Sequence, residues 1–129
     1  MSIHVRIVTR RSIAWDGTAR AVQAPGFKGE FGVLPDHEQL LTLVHPGRVL
    51  IQTDEGTVGF IVGGGFAEAG PDRLTILTDH CESTDGLDRD KNLSELKEAE
   101  EALAHLADGT PEWEMAERKV WLARARVSV

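Results

Sequence analysis

Five histidines, one cysteine and a glutamate set among glycines are the side chains with chemistry to offer in this 129-residue chain. Imidazoles could bind a metal or move protons, but His4, His37, His45, His80 and His105 are scattered. They form no His-Glu-x-x-His pair and have no cysteine partner at zinc spacing, so no metal site is expected. His80 and Cys81 are adjacent, which on a strand sends them to opposite faces and rules out a thiolate–imidazole dyad. Gly63-Gly64-Gly65 lacks the Gly-Lys-Ser/Thr that completes a phosphate loop, and no serine sits in a Gly-x-Ser-x-Gly elbow. No catalytic constellation emerges. What remains is Glu30 and His37, placed in a run with glycine at 26, 29 and 32, where the spacing fits tight loops.

The elements around that run have two different periodicities. Up to about residue 81 the chain reads as short strands between turns: Ile3, Val5 and Ile7 alternate, and Val49-Leu50-Ile51 faces residues 58–62 across a turn at 54–57. Gly70-Pro71-Asp72 is a further turn, between residues 66–68 and 74–77. Many short strands at regular spacing predict an antiparallel β-sandwich or flattened barrel. After Glu82 the pattern changes. Residues 83–91 read as a linker, and Asn92 is the expected N-cap of a helix with Glu95 as its capping-box partner. Leu93, Leu96, Ala99, Leu103 and Leu106 form the apolar face of that helix. Thr110 and Pro111 start a second helix whose seam is Trp113, Ala116, Val120, Ala123 and Val127. The expected organisation is an N-terminal β-sandwich over 1–82, a linker over 83–91 and an antiparallel two-helix hairpin over 92–129.

Composition narrows the function. An apolar fraction of 41% with 27% charged residues fits a soluble globular chain. The longest mostly apolar uncharged stretch, 57–67, falls short of the roughly 20 residues a membrane-spanning helix needs. The N-terminus enters a strand pattern directly, with no leader expected, and a lone cysteine is compatible with a reducing compartment. A net charge of −7 argues against nucleic acid as partner. Arg118, Lys119, Arg124 and Arg126 nevertheless gather at the end of the second helix, where the helix dipole favours cations.

Gly29-Glu30-Phe31-Gly32-Val33-Leu34-Pro35, then His37 and Leu40-Leu41-Thr42, resembles the G-E-x-G-[IV]-L-P-G-H-x-P-L-L-T signature of the bacterial F-type ATP synthase epsilon subunit. Residues 46–51, 60–69 and 74–79 are similar to that family's later blocks, in the same order and spacing. Asp36 and Gln39 depart from the signature, standing where glycine and proline are usual.

The resemblance implies a non-catalytic central-stalk rotor subunit that couples the gamma subunit to the c-ring in proton-driven ATP synthesis. It places the chain peripherally at the cytoplasmic face of the bacterial plasma membrane. Gly29, Glu30, Phe31, Gly32 and His37 match the family's loop toward the c-ring and gamma. The hairpin resembles an arm that folds against the sandwich or extends to the alpha and beta catalytic subunits and inhibits hydrolysis. In that extended state Arg118, Lys119, Arg124 and Arg126 would act, and the charges of Arg124 and Arg126 are expected to be used there alone. Some members bind ATP at an [IL]-D-x-x-R-A motif. Leu87 and Asp88 match it, Lys91 replaces its arginine and Asn92 its alanine, while Arg126 matches one arginine of the second helix and Leu122 replaces another. A weak ATP site at most is expected, built from Asp88, Lys91 and Arg126, and no resident cofactor or metal. Two rivals are a small β-barrel metal enzyme gathering His37, His45 or His80, and a freestanding adaptor of the same fold.

Overall fold

The computed structural model describes residues 1–128; Val129, the last residue of the predicted hairpin, lies outside them. Ten strands come first: β1 (Ile3–Val8), β2 (Ile13–Ala19), β3 (Ala21–Gly26), β4 (Gly29–Val33), β5 (Leu40–Val44), β6 (Gly47–Thr53), β7 (Gly56–Val62), β8 (Gly65–Ala69), β9 (Arg73–Thr78) and β10 (Cys81–Ser83). Helices α1 (Arg89–Ala104) and α2 (Pro111–Val127) follow. Strand neighbours run β10-β7-β6-β3-β5-β8-β9-β1-β2, with β4 on β3.

This long sheet folds over on itself as a sandwich. In β1, buried Ile3, Val5 and Ile7 alternate with exposed His4 and Arg6, the period of a strand with one wet face. Val22 and Ala24, Val49 and Ile51, Phe60 and Val62, and Leu74 and Ile76 join them in one core. The predicted sandwich is antiparallel except at one place: β1 runs parallel to β9, with His4 opposite Arg73 and Ile7 opposite Ile76. No local turn encodes that pair, because its partners lie about seventy residues apart in the chain. The β6–β7 hairpin is tighter than the predicted turn at 54–57. Asp54 and Glu55 alone form the loop, and Gly56, at φ 131°, and Thr57 pair within the ladder.

The first helix starts earlier than its pattern predicts. Asp88 is the N-cap, its Oδ1 accepting from the Lys91 N–H at 3.1 Å. Asn92, the predicted cap, is already inside the helix, its N–H donating to the Asp88 carbonyl at 2.9 Å. It is buried, while Leu93 and Leu106, expected on the inner face, are exposed. The covered side of the helix carries Asn92, Leu96, Ala99 and Leu103, at a spacing of four, three and four, and Leu93, one residue on from Asn92, turns outward. In α2 the prediction holds: Thr110 Oγ1 accepts from the Trp113 N–H at 3.2 Å, Pro111 opens the helix, and the seam from Trp113 to Val127 is buried or half-buried throughout. α2 also packs on β6 and β7. There Ile61, on the face of β7 opposite Phe60 and Val62, is fully buried although it lies outside the sandwich core.

Candidate functional sites

The Gly-Glu-Phe-Gly segment folds as a strand instead of the expected loop. Glu30 pairs with Pro25 and Phe31 with Ala24 in the β3–β4 hairpin, whose tip is Phe27 and Lys28. Gly29 closes that tip with a φ of 113°, a conformation an L side chain rarely adopts. Glu30 and Gly32 are exposed, while Phe31 leans on the core. His37 sits in the β4–β5 loop, its N–H donating to the Leu34 carbonyl at 3.2 Å and its Nδ1 to the Glu38 carbonyl at 2.6 Å. Asp36, in the place where the family signature has glycine, adopts φ 66°.

An apolar outer face lies beside this loop. On β5, β8 and β9, Leu43, Phe66 and Leu77 are register partners, so their side chains share the face opposite the core. Phe66 is 52% exposed and Leu41, two residues from Leu43, 72%. With Phe27, Trp121 and the corner at Gly63, Gly64 and Gly65, the residues Leu43, Phe66 and Leu77 border a groove of about 540 Å³ that has Arg118 on its wall. None of these four leucine and phenylalanine positions stood out in the sequence as site residues. Their signal was present: residues 40–44 are apolar on both strand faces, which a one-sided core does not require.

The hairpin meets the sandwich along the C-terminal half of α2. The His45 ring lies 4.6 Å from Trp121 and 5.0 Å, edge-on, from Phe27, and its Nδ1 donates to the Pro46 carbonyl at 2.8 Å. Arg48 on β6 donates to the Ser128 carbonyl at 3.2 Å, and Arg89 on α1 to that of Val127 at 3.1 Å. Glu30 and Arg124, expected at separate interfaces, line one shallow depression with His45 and Trp121.

The cations at the end of α2 are already in use in this folded form, which corrects the expectation that Arg124 and Arg126 work only when extended. Arg126 Nη2 is 2.7 Å from Glu82 Oε1, and Arg124 Nε 3.8 Å from Glu100 Oε1 on α1. The cause is composition: α1 and β10 bring acids into reach of a basic helix end. Arg118 and Lys119 are exposed and have no ion pair among the described residues. Burial pushes the Glu82 carboxyl up, but hydrogen bonds from Arg126 and His80 outweigh it and hold Glu82 below the ordinary glutamate range. Burial, with Glu82 beside it, pushes the Cys81 thiol up to about 11, so it is no nucleophile at neutral pH.

The three groups expected to contact a nucleotide are occupied otherwise. Asp88 caps α1, Lys91 stands 4.0 Å from Glu95, and Arg126 holds Glu82. His37, His45 and His80 are not gathered, and among the described residues no group of three or more His, Cys, Asp or Glu side chains is arranged to hold a metal. No helix among them is long and apolar enough to cross a membrane.

Comparison with known proteins gives these surfaces a context. Residues 2–84 match the family described as ATP synthase, Delta/Epsilon chain, beta-sandwich domain. The ATP synthase epsilon chain of Delftia acidovorans is 36% identical over 126 residues, covering 97% of this chain and 84% of that protein. The same-named chain of Ruthia magnifica is 35% identical over 107 residues, covering 83% and 78%. In fold, the chain superposes with a TM-score of 0.83 on a chain in the OSCP/F1/c-ring structure of Euglena gracilis mitochondrial ATP synthase, at 19% identity, covering 96% of this chain and 78% of that one. It superposes at 0.61 on a chain in the central stalk/c-ring structure of Tetrahymena thermophila mitochondrial ATP synthase, at 14% identity and 98% and 97% coverage. The family profile spans the whole sandwich, and the Delftia match continues through both helices, so the chain belongs to the family of ATP synthase epsilon chains, non-catalytic subunits of that enzyme.

Proposed function

We propose that this chain is a central-stalk subunit whose sandwich couples gamma to the c-ring during proton-driven ATP synthesis, at the cytoplasmic face of the bacterial plasma membrane. The observation that carries the reading is the registered row Leu43, Phe66 and Leu77, an exposed apolar face on a rigid sheet. Exposed apolar side chains so aligned mark a protein interface, and gamma is the partner assigned to it. Glu30, beside the β3–β4 tip, and the neighbourhood of His37, in the β4–β5 loop, are assigned to the c-ring and gamma contacts. Phe66→Glu should abolish co-purification with gamma while leaving the isolated chain folded, and cysteines at 30 and 37 should cross-link to the c-ring and gamma. Unchanged co-purification together with no cross-link would overturn this reading and favour a freestanding adaptor.

The hairpin is the regulatory part in this proposal. Extended toward the alpha and beta subunits, it restrains ATP hydrolysis; docked as described above, it does not. Truncation after Ser83 should leave an assembling sandwich with higher ATPase activity in the complex. Equal activity with and without the hairpin would make the helices structural. Tight ATP binding by the isolated subunit is not expected, because Arg126 is committed to Glu82 and Asp88 to its cap. Losing charge-assisted phosphate bonds costs about 1.5–3 kcal/mol each, and micromolar binding in a calorimetric titration would contradict that.

A further inference from the structure

The hairpin leaves the sandwich after Ser83, and the last turn of α2 returns to the same place. Arg126 donates from Nε to Glu82 Oε1 at 2.8 Å, and its Nη2 lies 2.7 Å from the same oxygen. His80 Nε2 is 2.9 Å from that oxygen as well. The two charged side chains are only 23% and 28% exposed, so the pair is partly withdrawn from water. Every other ion pair among the described residues joins sandwich to sandwich or hairpin to hairpin.

We propose that Glu82 is the latch of the hairpin: one carboxylate oxygen holds the end of α2 to β10, with His80 as the positioning residue that orients it. The physical reason is asymmetry of cost. A part-buried carboxylate that loses its guanidinium cannot recover full hydration while α2 covers it, so the docked state weakens by more than an exposed pair would lose. The position adds to this. Glu82 lies in the last strand, one residue before the chain leaves the sandwich, so the latch sits at the hinge and closes the loop that contains both helices. Releasing it loosens the α2 end from the sheet, where the Arg48–Ser128 hydrogen bond and the His45–Trp121 stack remain, while leaving the Arg124–Glu100 pair and the α1–α2 seam in place. The inference deepens the regulatory role proposed for the hairpin and rests on it.

Hydrogen exchange on the full-length isolated subunit tests the latch. Glu82→Gln and Arg126→Gln should each speed exchange of the α2 amides about tenfold, the loss expected of one charge-assisted contact of this exposure, with the β1 and β9 amides unchanged. The swapped pair Glu82→Arg with Arg126→Glu should recover most of the protection, and His80→Ala should lose part of it. If Glu82→Gln also loosens the strands, Arg126→Gln, altered on the hairpin side, decides. Wild-type exchange in both single variants, or a swap no better than the singles combined, overturns the latch. A loosened α2 in the isolated subunit with unchanged hydrolysis in the assembled enzyme leaves the latch standing and removes the regulatory reading.

Discussion

The backbone N–H of Asp36 donates to the carbonyl of Pro71 at 2.7 Å, and Asp36 reaches it from the left-handed region at φ 66°. This bond ties the β4–β5 loop, with His37 next in sequence, to the β8–β9 turn. The departure from the family signature at this position is thus a change of residue in a conformation that glycine takes without strain. Asp36→Gly is expected to hold stability within about 1 kcal/mol, since aspartate tolerates this region better than most residues. Asp36→Val should cost about 1–2 kcal/mol or more. Denaturant midpoints of the isolated subunit check the pair, and equal midpoints for both variants would contradict the assignment.

Gly65 has less freedom. Its φ is 145°, and a Cβ there would stand 1.9 Å from the Leu77 carbonyl oxygen. Gly65→Ala must push apart the β8–β9 ladder at the point where Phe66 and Leu77 are aligned. The expected loss is at least about 2 kcal/mol, a fall in Tm on the order of 10 °C for a domain of this size. A thermal scan reads it directly.

Asn92 is buried in α1 and its Nδ2 has no hydrogen-bond partner among the described residues. An unsatisfied buried donor costs about 1–3 kcal/mol, so Asn92→Ala, also the better helix former, should stabilise the hairpin by about 1 kcal/mol. Slower hydrogen exchange across α1 is the expected sign. Faster exchange would mean the amide is contributing to packing.

Glu82 makes docking sensitive to acid in one direction. Its folded carboxyl is held low by Arg126 and His80 against the opposing effect of burial. A group depressed on folding contributes stability that is present above its unfolded pKa, about 4.3 for glutamate, and is lost as pH falls through the lower folded value. Through this carboxylate, protection of α2 should hold from pH 7 to about 5 and drop below about 4. In Glu82→Gln that acid step should disappear.

How much of this was legible in the sequence depended on the range of the interaction. Thr110 and Pro111 announced α2 because a cap and its helix are contiguous, and the β6–β7 and β8–β9 turns were visible for the same reason. Asn92 misled because two good cap residues stand four apart, and the one that wins is decided by which helical face must be covered. The parallel β1–β9 pair, the His45–Trp121 stack and the Glu82–Arg126 contact join distant residues, and no local pattern encodes them. Of the candidate site, Glu30 and His37 were singled out by motif. Leu43, Phe66 and Leu77 became a surface only once register aligned them.

The parallel pairing of the first strand with the ninth bears on how the chain is made. Residues 3–19 leave the ribosome early and can form their own β1–β2 hairpin, but the other edge of β1 has no partner until residue 77 has followed. Through that interval Ile3, Val5 and Ile7, which end fully buried, have no complete core to enter. Long-range pairing of this kind folds slowly and leaves strand edges open to wrong partners. The sandwich therefore closes late, near the point where the linker emerges, and the hairpin emerges onto a platform that has only just been completed.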